Sequence, residues 1–366
     1  MTFARRLASS PDGPLARRSV DVLTAGQASS GAFVACPTFP KYGYAWLRDG
    51  AFCAYALDVV GEHDAAAAFH RWTASTIEAH RRLVGRAVEK CMHGEPVAPE
   101  QTPPARYTLK GDRERDGDEP WPNFQIDGYG MWLWALEHHL GGSGADTELA
   151  PTVTLVAEYL AHCWRLKCFG CWEEFDDGEH ATTLAAVAAG LRAAAHLLDD
   201  SSFSDAAMRV TARLLEAHTT DGRFRRGPDD DRVDGGLAWL AVPFGVVPPD
   251  DPRVVETIRQ IYLDLVGPGG GVYRYRGDTY YGGGQWLLLT SSLAWHERVR
   301  GNKTTARELQ EWVRAQALPN GDLAEQVTTH AQDAAMIEPW VRRWGSVATP
   351  LLWSHAMYLL AETAHP

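Results

Sequence analysis

The sequence predicts an all-α fold, an (α/α)6 toroid of six helical hairpins whose long loops form the functional end of the ring. Apolar residues recur at helical spacing in about a dozen segments, and strict alternation of apolar and polar residues is rare. These segments pair as hairpins, which favours a toroid over a two-layer bundle. The predicted helices span residues 20–29, 51–60, 64–83, 127–140, 150–166, 181–198, 203–217, 236–241, 252–265, 286–300, 304–315 and 350–362.

Composition restricts the class of partner. The chain has 366 residues, 45% of them hydrophobic and 22% charged, as in ordinary globular proteins, and we expect residues 1–366 to form a single domain. A formal net charge of -12 argues against nucleic acid or an anionic membrane as a partner. The 14 tryptophans and 12 tyrosines suit a protein that holds the flat faces of sugar rings. A neutral small molecule is therefore the expected ligand.

No targeting or metal-binding signal stands out. Residues 1–19 carry arginines without an apolar stretch, and we expect no segment long and apolar enough to span a membrane. Both observations favour a cytoplasmic protein.

Cys163, Cys168 and Cys171 could ligate zinc with His162, or Cys168 and Cys171 could form a redox pair, but no second CxxC or HxxxH motif accompanies them. Packing of reduced thiols is the favoured role, and no metal or cofactor is expected. The acidic run at 229–234 lacks the spacing of a calcium loop and is interpreted as a solvated turn.

The loop at residues 40–49 combines alternating aromatic residues with Arg48 and Asp49. A guanidinium beside a carboxylate offers donors and acceptors that match vicinal sugar hydroxyls. In the alternative interpretation, Asp49 caps the helix that is predicted to begin near residue 51, and Arg48 pairs with it.

Residues 81–120 are polar and rich in proline, glycine and charge, and they are predicted to form a long loop excursion near the active site. Trp121 and Gln125 follow directly and are expected to line the same end of the toroid. Asp127 is either a helix cap or part of this lining.

Glu173 and Glu174 are two adjacent carboxylates behind Trp172. An acid that protonates a leaving oxygen near neutral pH needs a raised pKa, which an indole in a partly apolar pocket provides by desolvation. The alternative is a solvated acidic pair that precedes a helix.

Five motifs in chain order, at residues 40–49, 121–128, 172–173, 274–286 and 325–326, carry a family resemblance. They read P-x-Y-x-Y-x-W-x-R-D, W-x-x-x-Q-x-D-G, W-E, R-Y-x-x-D-x-Y with a Gly-rich turn and a tryptophan, and E-Q. In this order they resemble the glucoamylase family of inverting α-glucoside hydrolases, glycoside hydrolase family fifteen.

The resemblance implies that Glu173 is the general acid and Glu325 the general base, their carboxyl groups about 6.5–9.5 Å apart as inversion requires. It places Tyr42 beside the charge that develops at the anomeric carbon, and Arg48 and Asp49 on the hydroxyls of the terminal glucose. The full set of substrate-binding residues that it implies is Tyr42, Trp46, Arg48, Asp49, Trp121, Gln125, Asp127, Trp172, Glu174, Arg274 and Asp278, with Asp278 orienting Arg274.

Several alternatives stay open at this point. Glu174 could replace Glu173 as the acid, and Asp322 lies three residues before Glu325 in a Pro-Asn-Gly turn. The expected substrates are isomaltose and other small α-glucosides, because the chain has no segment that resembles an N-terminal β-sandwich or a starch-binding domain. Trehalose, maltooligosaccharides and a sugar-binding role without turnover are the alternatives. The oligomeric state is left open.

Overall fold

The computed structural model describes residues 13–114, 121–174 and 178–363. This part of the chain is mainly helical and contains the α-helices α1 to α13 with one longer 3₁₀ segment, Gly235–Leu240. The helices are α1 (Pro14–Ala25), α2 (Leu47–Val60), α3 (His63–Ala79), α4 (Arg81–Met92), α5 (Asp127–Leu140), α6 (Ala150–Cys163), α7 (Ala181–Leu198), α8 (Ser201–Ala217), α9 (Pro252–Asp264), α10 (Leu287–Val299), α11 (Lys303–Ala315), α12 (Ile337–Trp344) and α13 (Leu352–Thr363).

An inner ring of six segments organises the molecule. It consists of α2, α5, α7, the 3₁₀ segment Gly235–Leu240, α10 and α13, each packed against the next, and α13 closes the ring on α2. The helices α1, α3, α6, α8, α9 and α11 alternate with the inner segments along the chain. The predicted (α/α)6 toroid is confirmed.

Helix α7 shows why the inner helices differ in sequence from the outer ones. It is long and apolar enough to cross a membrane by length and composition, but 83% of it is buried inside the protein. The expectation that no segment meets this criterion is therefore wrong for α7. Burial between α5 and α8 explains the apolar sequence, since a helix covered on all sides needs no polar face.

Two glycines allow the inner helices α5 and α7 to approach each other closely. A Cβ atom on Gly190 would lie 2.5 Å from the Cα atom of Gly130, and one on Gly130 would lie 2.3 Å from the carbonyl oxygen of Ala186. Neither distance is compatible with a larger side chain, so this crossing depends on glycine at both positions.

Short paired β-strands connect the loops at the end of the ring where the inner helices begin. Strand β1 (Ala45–Trp46) pairs antiparallel with β2 (Arg106–Tyr107). Strands β3 (Thr219–Thr220) and β4 (Arg223–Phe224) form a separate hairpin. The strands β5 (Val272–Tyr273), β6 (Gln285–Trp286) and β7 (Gln326–Val327) form a three-stranded sheet in that order. These pairings bring the sequence-distant motifs to one place.

The structure corrects several element predictions. The first third of the predicted loop excursion at 81–120 is helix α4, which buries Val84, Ala87 and Val88. The short helix α12 has no buried residue and was not predicted, and its proline stands in the first turn, where the backbone tolerates it. The predicted helix at 236–241 is the 3₁₀ segment. The extent of the single domain stays a prediction.

Candidate active site

A cavity of about 240 Å³ opens at the end of the ring where the inner helices begin. Its wall combines acidic, basic and aromatic side chains from nearly every loop at this end. The lining residues are Ala35, Lys41, Tyr42, Trp46, Arg48, Asp49, Arg106, Trp121, Cys171, Trp172, Glu173, Glu174, Arg274, Tyr280, Trp286, Glu325, Trp340, Arg343, Trp344, Leu351 and Trp353. Ten of the predicted site residues are among them: Tyr42, Trp46, Arg48, Asp49, Trp121, Trp172, Glu173, Glu174, Arg274 and Glu325.

Arg48 and Asp49 enter the cavity from the first turn of α2. The helix begins at Leu47, so the alternative in which Asp49 caps a helix from residue 51 is wrong. The Nε atom of Arg48 lies 3.5 Å from Oδ2 of Asp49. Burial raises the pKa of Asp49 to about 6, against the opposing charge of Arg48. This pair presents a cation and a carboxylate side by side at the base of the cavity.

Glu173 lies in a turn with a φ angle of 62°, a left-handed conformation that is rare for a residue other than glycine. Its amide donates to the carbonyl oxygen of Gly170 at 2.9 Å. One carboxyl oxygen accepts a 2.5 Å hydrogen bond from the indole Nε1 of Trp46. The same oxygen lies 3.7 Å from the guanidinium of Arg48. Burial raises the pKa of Glu173 to about 7, although the nearby positive charge of Arg48 works against this increase.

Glu174 contacts a different set of residues. Its Oε1 accepts a 3.0 Å hydrogen bond from Arg274, and its Oε2 accepts one from the hydroxyl of Tyr275. Asp278 binds the guanidinium of Arg274 through both carboxyl oxygens, at 2.6 and 2.7 Å. The turn at Glu173 therefore directs two adjacent carboxylates to separate partners.

Glu325 is buried in the segment just before β7, with only 3% of its surface exposed. Its amide donates to the carbonyl oxygen of Ala348 at 3.0 Å. Its Oε1 accepts a 3.0 Å hydrogen bond from the hydroxyl of Tyr42. The hydroxyl oxygens of Tyr42 and Tyr280 are 2.8 Å apart. Burial raises the pKa of Glu325 to about 8, and the Tyr42 hydrogen bond and the charge of Arg274 oppose this increase.

The cavity wall concentrates buried polar atoms that lack a hydrogen-bond partner within the described residues. Buried polar groups in proteins are normally satisfied, so each such atom calls for a ligand or another explanation. The atoms are Nε of Arg48, Oδ2 of Asp49, Oε2 of Glu325 and the indole nitrogens of Trp121, Trp286, Trp340 and Trp353. Together they suit a ligand with many hydrogen-bonding groups and flat, partly apolar faces, which is the chemistry of a sugar ring.

The sequence profile of Glycosyl hydrolases family 15 matches residues 17–362. The chain belongs to this family. It is 40% identical to the isomaltose glucohydrolase of Kribbella flavida over 354 residues, which are 94% of this chain and 91% of that protein. A variant of a glycosidase solved in complex with glucose is 37% identical and superimposes with a TM-score of 0.90 over 96% of this chain and 97% of its own.

A bacterial glucoamylase in complex with acarbose shares the fold at 19% identity, with a TM-score of 0.72 over 95% of this chain and 55% of its own. The family-15 protein is therefore a glycoside hydrolase, a glucoamylase-like enzyme that acts on α-glucosides.

Three predicted substrate-binding residues of this family-15 enzyme do not line the cavity. Gln125 and Asp127 lie behind Arg48, whose Nη1 atom is 3.1 Å from the Gln125 amide oxygen and 3.3 Å from the Asp127 carboxylate. Asp278 lies behind Arg274 in the same way, which agrees with the predicted role of Asp278 in orienting this arginine. All three residues are buried. Each holds an arginine that faces the cavity, so they support the site and do not contact the ligand directly.

Trp172 lines the cavity as predicted, but its indole hydrogen bond does not go to Glu173. Its indole nitrogen donates to Oδ2 of Asp234 at 2.7 Å, and its ring packs 5.4 Å from that of Trp286. The indole that contacts the carboxyl group of Glu173 is that of Trp46. Asp234 is 3% exposed and caps the 3₁₀ segment through the amide of Gly236, so the interpretation of 229–234 as a solvated turn is wrong for Asp234. An aspartate directly before two glycines is a capping signal that the sequence contains.

The sequence interpretation missed an aromatic rim, which consists of Trp340, Arg343 and Trp344 of α12. The two indole rings have centroids 4.8 Å apart, and the guanidinium lies 4.9 Å from the ring centroid of Trp344. Their spacing of four residues puts the two tryptophans on the same face of a helix, which is the signal that could have revealed them.

Arg106 of β2 was also missed. Its guanidinium lies 5.0 Å from the ring centroid of Trp46 and 4.7 Å from that of Trp121. Glu114 binds it through both carboxyl oxygens, at 2.7 and 2.9 Å. Arg106 therefore fixes the two tryptophans on this side of the cavity. A single arginine in a polar loop gives no sequence signal of this kind.

Among the other candidates from the sequence, Cys171 lies in the cavity wall, whereas Cys163 and Cys168 lie outside it. Asp322 accepts a 2.7 Å hydrogen bond from Arg18 and does not line the cavity. Cys163, Cys168 and Cys171 are free and buried, and burial raises the pKa of Cys168 to about 12, which keeps its thiol protonated. Within the described ranges, one group of side chains has donors close enough to hold a metal ion, and it lies outside the cavity.

Proposed function

We propose that this enzyme is an inverting, exo-acting hydrolase that releases β-D-glucose from the non-reducing end of small α-glucosides, preferably isomaltose and isomaltooligosaccharides. The observation that carries the proposal is the set of unpartnered polar atoms around Glu173 and Glu325 in one cavity. The preference for α-1,6 linkages is supported by the 40% identity to an isomaltose glucohydrolase. The buried free thiols support the cytoplasm, a reducing compartment, as its location.

In the proposed mechanism, Glu173 is the general acid that protonates the oxygen of the leaving sugar. Its raised pKa keeps a proton available near neutral pH, and the Trp46 hydrogen bond fixes the direction of the carboxyl group. Glu174 is the less suitable acid, because Arg274 and Tyr275 already occupy its oxygens. A carboxylate beside an arginine is better suited to binding hydroxyl groups.

Glu325 is the proposed general base. Tyr42 occupies its Oε1, and its Oε2 is buried without a hydrogen-bond partner among the described residues. That oxygen is available to accept a proton from a water molecule as the water attacks the anomeric carbon. Attack by water on the face opposite the departing oxygen inverts the configuration and yields β-glucose.

Exo-action is supported by the size of the cavity. A volume of about 240 Å³ suits the end of a glucoside and not the middle of a long chain. Asp49 and Arg48 at its base would bind the hydroxyl groups of the terminal glucose. Trp340 and Trp344 would lie against the sugar beyond the cleaved bond.

Proton NMR of glucose released from isomaltose, maltose and trehalose in parallel reactions tests the proposal. We expect β-glucose to appear first, and faster from isomaltose than from the other two. Faster release from trehalose or maltose would retain the mechanism and replace the substrate. Initial α-glucose would exclude the inverting roles of Glu173 and Glu325, and absence of glucose with all three would favour a sugar-binding protein without turnover.

A further inference from the structure

Three histidines and an aspartate cluster at the end of the ring opposite the cavity. Asp58 lies in the last turn of α2, ten residues after Arg48, which corresponds to about 15 Å along the helix axis. His139 lies in the last turn of α5, and His63 and His70 belong to α3. The cluster therefore joins two inner helices to one outer helix, and no residue of it lines the cavity.

Asp58 is the centre of this cluster. Nδ1 of His139 lies 3.0 Å from Oδ1 and 2.9 Å from Oδ2 of the carboxylate. Nδ1 of His63 lies 3.0 Å from Oδ1. The ring centroids of His70 and His139 are 4.9 Å apart. One carboxylate thus lies beside two imidazoles, and a third imidazole lies against one of them.

His70 is the member of the cluster whose environment protein contacts do not explain. Only 1% of its surface is exposed, and neither ring nitrogen has a hydrogen-bond partner among the described residues. Burying an imidazole without a partner is costly, because both nitrogens lose their bonds to water.

We propose that Asp58, His70 and His139 bind a divalent transition-metal ion, most suitably zinc. Imidazole and carboxylate donors are the ligands that zinc accepts in proteins, and the metal would give the buried ring of His70 its missing partner. One donor atom from each of the three side chains lies within 4.8 Å of the others. The site does not depend on the proposed function of the cavity.

The distances are close to those that zinc requires. With bonds of about 2.0–2.1 Å, two donors on a tetrahedral zinc ion lie about 3.4 Å apart. Asp58 and His139 are already closer than this, at 2.9 Å. The widest separation in the group is at most 4.8 Å, so the remaining closure is about 1.4 Å or less. Rotation of the His70 and His139 rings about their side-chain bonds covers such a distance.

His63 is the exposed member of the cluster and leaves a path by which an ion could reach the site. Its side chain is 55% exposed and lies at the first position of α3, beside the same carboxylate. A structural zinc ion is normally held by four protein ligands, whereas three ligands leave a coordination position for water. Because the ligands come from three helices, a bound ion would fix α3 against the inner ring and stabilise the fold.

Metal content of the purified protein tests the proposal directly. The whole chain is stripped with a chelator and dialysed, and ZnCl₂ is then titrated while native mass spectrometry counts bound ions. We expect one zinc ion per chain and a melting temperature that rises with the logarithm of free zinc concentration. With Co²⁺ in place of zinc, we expect the visible absorption bands of tetrahedral coordination.

Variants of the ligands locate the site. His70→Gln, His139→Gln and Asp58→Asn are each expected to weaken zinc binding at least tenfold, with a circular-dichroism spectrum that confirms folding. The matched control is His196→Gln, which removes an exposed histidine that lies beside Glu137 outside the cluster. Zinc binding that is absent from the parent protein, or equal in the parent and in all three variants, would overturn the proposal. The Co²⁺ spectrum of the parent is decisive even if a variant fails to fold.

Discussion

The hydroxyl of Tyr42 lies 3.0 Å from Oε1 of Glu325 and donates a hydrogen bond to it. A hydroxyl has one hydrogen, so when Tyr42 gives it to the carboxylate, the hydroxyl of Tyr280 donates to Tyr42. Two tyrosines that are 238 positions apart in the sequence therefore form a chain of donors that ends on Glu325. This chain favours the ionised form of a carboxyl group that burial otherwise keeps protonated.

The relative acidities of the two glutamates bear on the mechanism. Burial raises the pKa of Glu325 to about 8 and that of Glu173 to about 7. An inverting hydrolase needs the opposite order, with Glu325 ionised and Glu173 protonated. A water molecule that donates to Oε2 of Glu325 stabilises the carboxylate, so water binding and ionisation of the base favour each other.

Tyr42→Phe is expected to move the acidic limb of the pH–rate profile to higher pH. The limb reports protonation of Glu325, and loss of a donor to a carboxylate raises the pKa of that carboxylate. A hydrogen bond to a charged group contributes about 1.5–3 kcal/mol, which corresponds to a movement of about 1 to 2 pH units. The measurement is kcat/KM for isomaltose from pH 4 to pH 9.

Tyr262→Phe is the matched control for this experiment. Tyr262 also donates to a glutamate, Glu297, at 3.2 Å, but neither residue lines the cavity. Its pH profile should match that of the parent enzyme. An unchanged acidic limb in Tyr42→Phe would show that Tyr42 does not control the ionisation of the base.

The loss of activity in Glu173→Gln is expected to depend on the leaving group of the substrate. Loss of a general acid costs about 10²- to 10⁴-fold when the leaving oxygen needs a proton, as the alcohol released from isomaltose does. With α-D-glucosyl fluoride, whose fluoride leaves without protonation, we expect a loss of less than about tenfold. Glu325→Gln removes the base and should slow both substrates by a similar factor.

The same assay decides between the adjacent carboxylates. If Glu174 were the acid, Glu174→Gln would show the selective loss on isomaltose, and Glu173→Gln would not. Folding of each variant is checked by its melting temperature, since Glu173 occupies a left-handed backbone conformation that any replacement must also adopt.

The toroid and the ten residues that line the cavity were predictable because they rest on patterns within single segments or motifs. Helical periodicity marks α11, and the motif at 40–49 carries Arg48 and Asp49 into the first turn of α2. Such features depend on neighbours along the chain, which the sequence shows directly.

The supporting contacts were harder to predict because they join distant segments. Nothing near Trp172 indicates that its indole bonds to Asp234, 62 positions later, while Trp46 contacts Glu173 across 127 positions. Helix α12 escaped prediction because none of its residues is fully buried, and its two tryptophans line the cavity while packing against the edge of the core. Residues that serve a ligand lack the periodic signal that packing produces.

Trp344→Ala is expected to lower activity only on substrates that contain a second sugar. If the rim holds the sugar beyond the cleaved bond, kcat/KM for isomaltose should fall about 3- to 10-fold, mainly through KM, as expected for an aromatic contact of about 0.5–1.5 kcal/mol. Activity on α-D-glucosyl fluoride, which has no second sugar, should change by less than about twofold. Arg342→Ala on the same helix is the control, since its side chain is 71% exposed. Equal losses on both substrates would mean that the rim holds the terminal glucose.

Replacing Asp234 should separate its hydrogen bonds from its charge. Asp234→Ala leaves the indole nitrogen of Trp172 and the amide of Gly236 without their buried acceptor, and we expect a loss of about 1–3 kcal/mol in the free energy of unfolding. Asp234→Asn keeps an acceptor for the indole, but it turns an NH2 group towards the amide of Gly236 and removes the charge that lies 3.6 Å from Arg226. The melting temperature of the asparagine variant should therefore lie between those of the parent and the alanine variant.

Activity adds a second measurement, because Trp172 forms part of the cavity wall. Asp234→Ala should raise KM for isomaltose more than Asp234→Asn does, since only the alanine variant frees the Trp172 ring to rotate. Asp231→Ala in the same loop is the control, with a side chain that is 67% exposed. If the asparagine variant is as unstable as the alanine variant, Asp234 stabilises the fold through its charge pairing with Arg226 or the hydrogen bond from Gly236, and not through the hydrogen bond from Trp172.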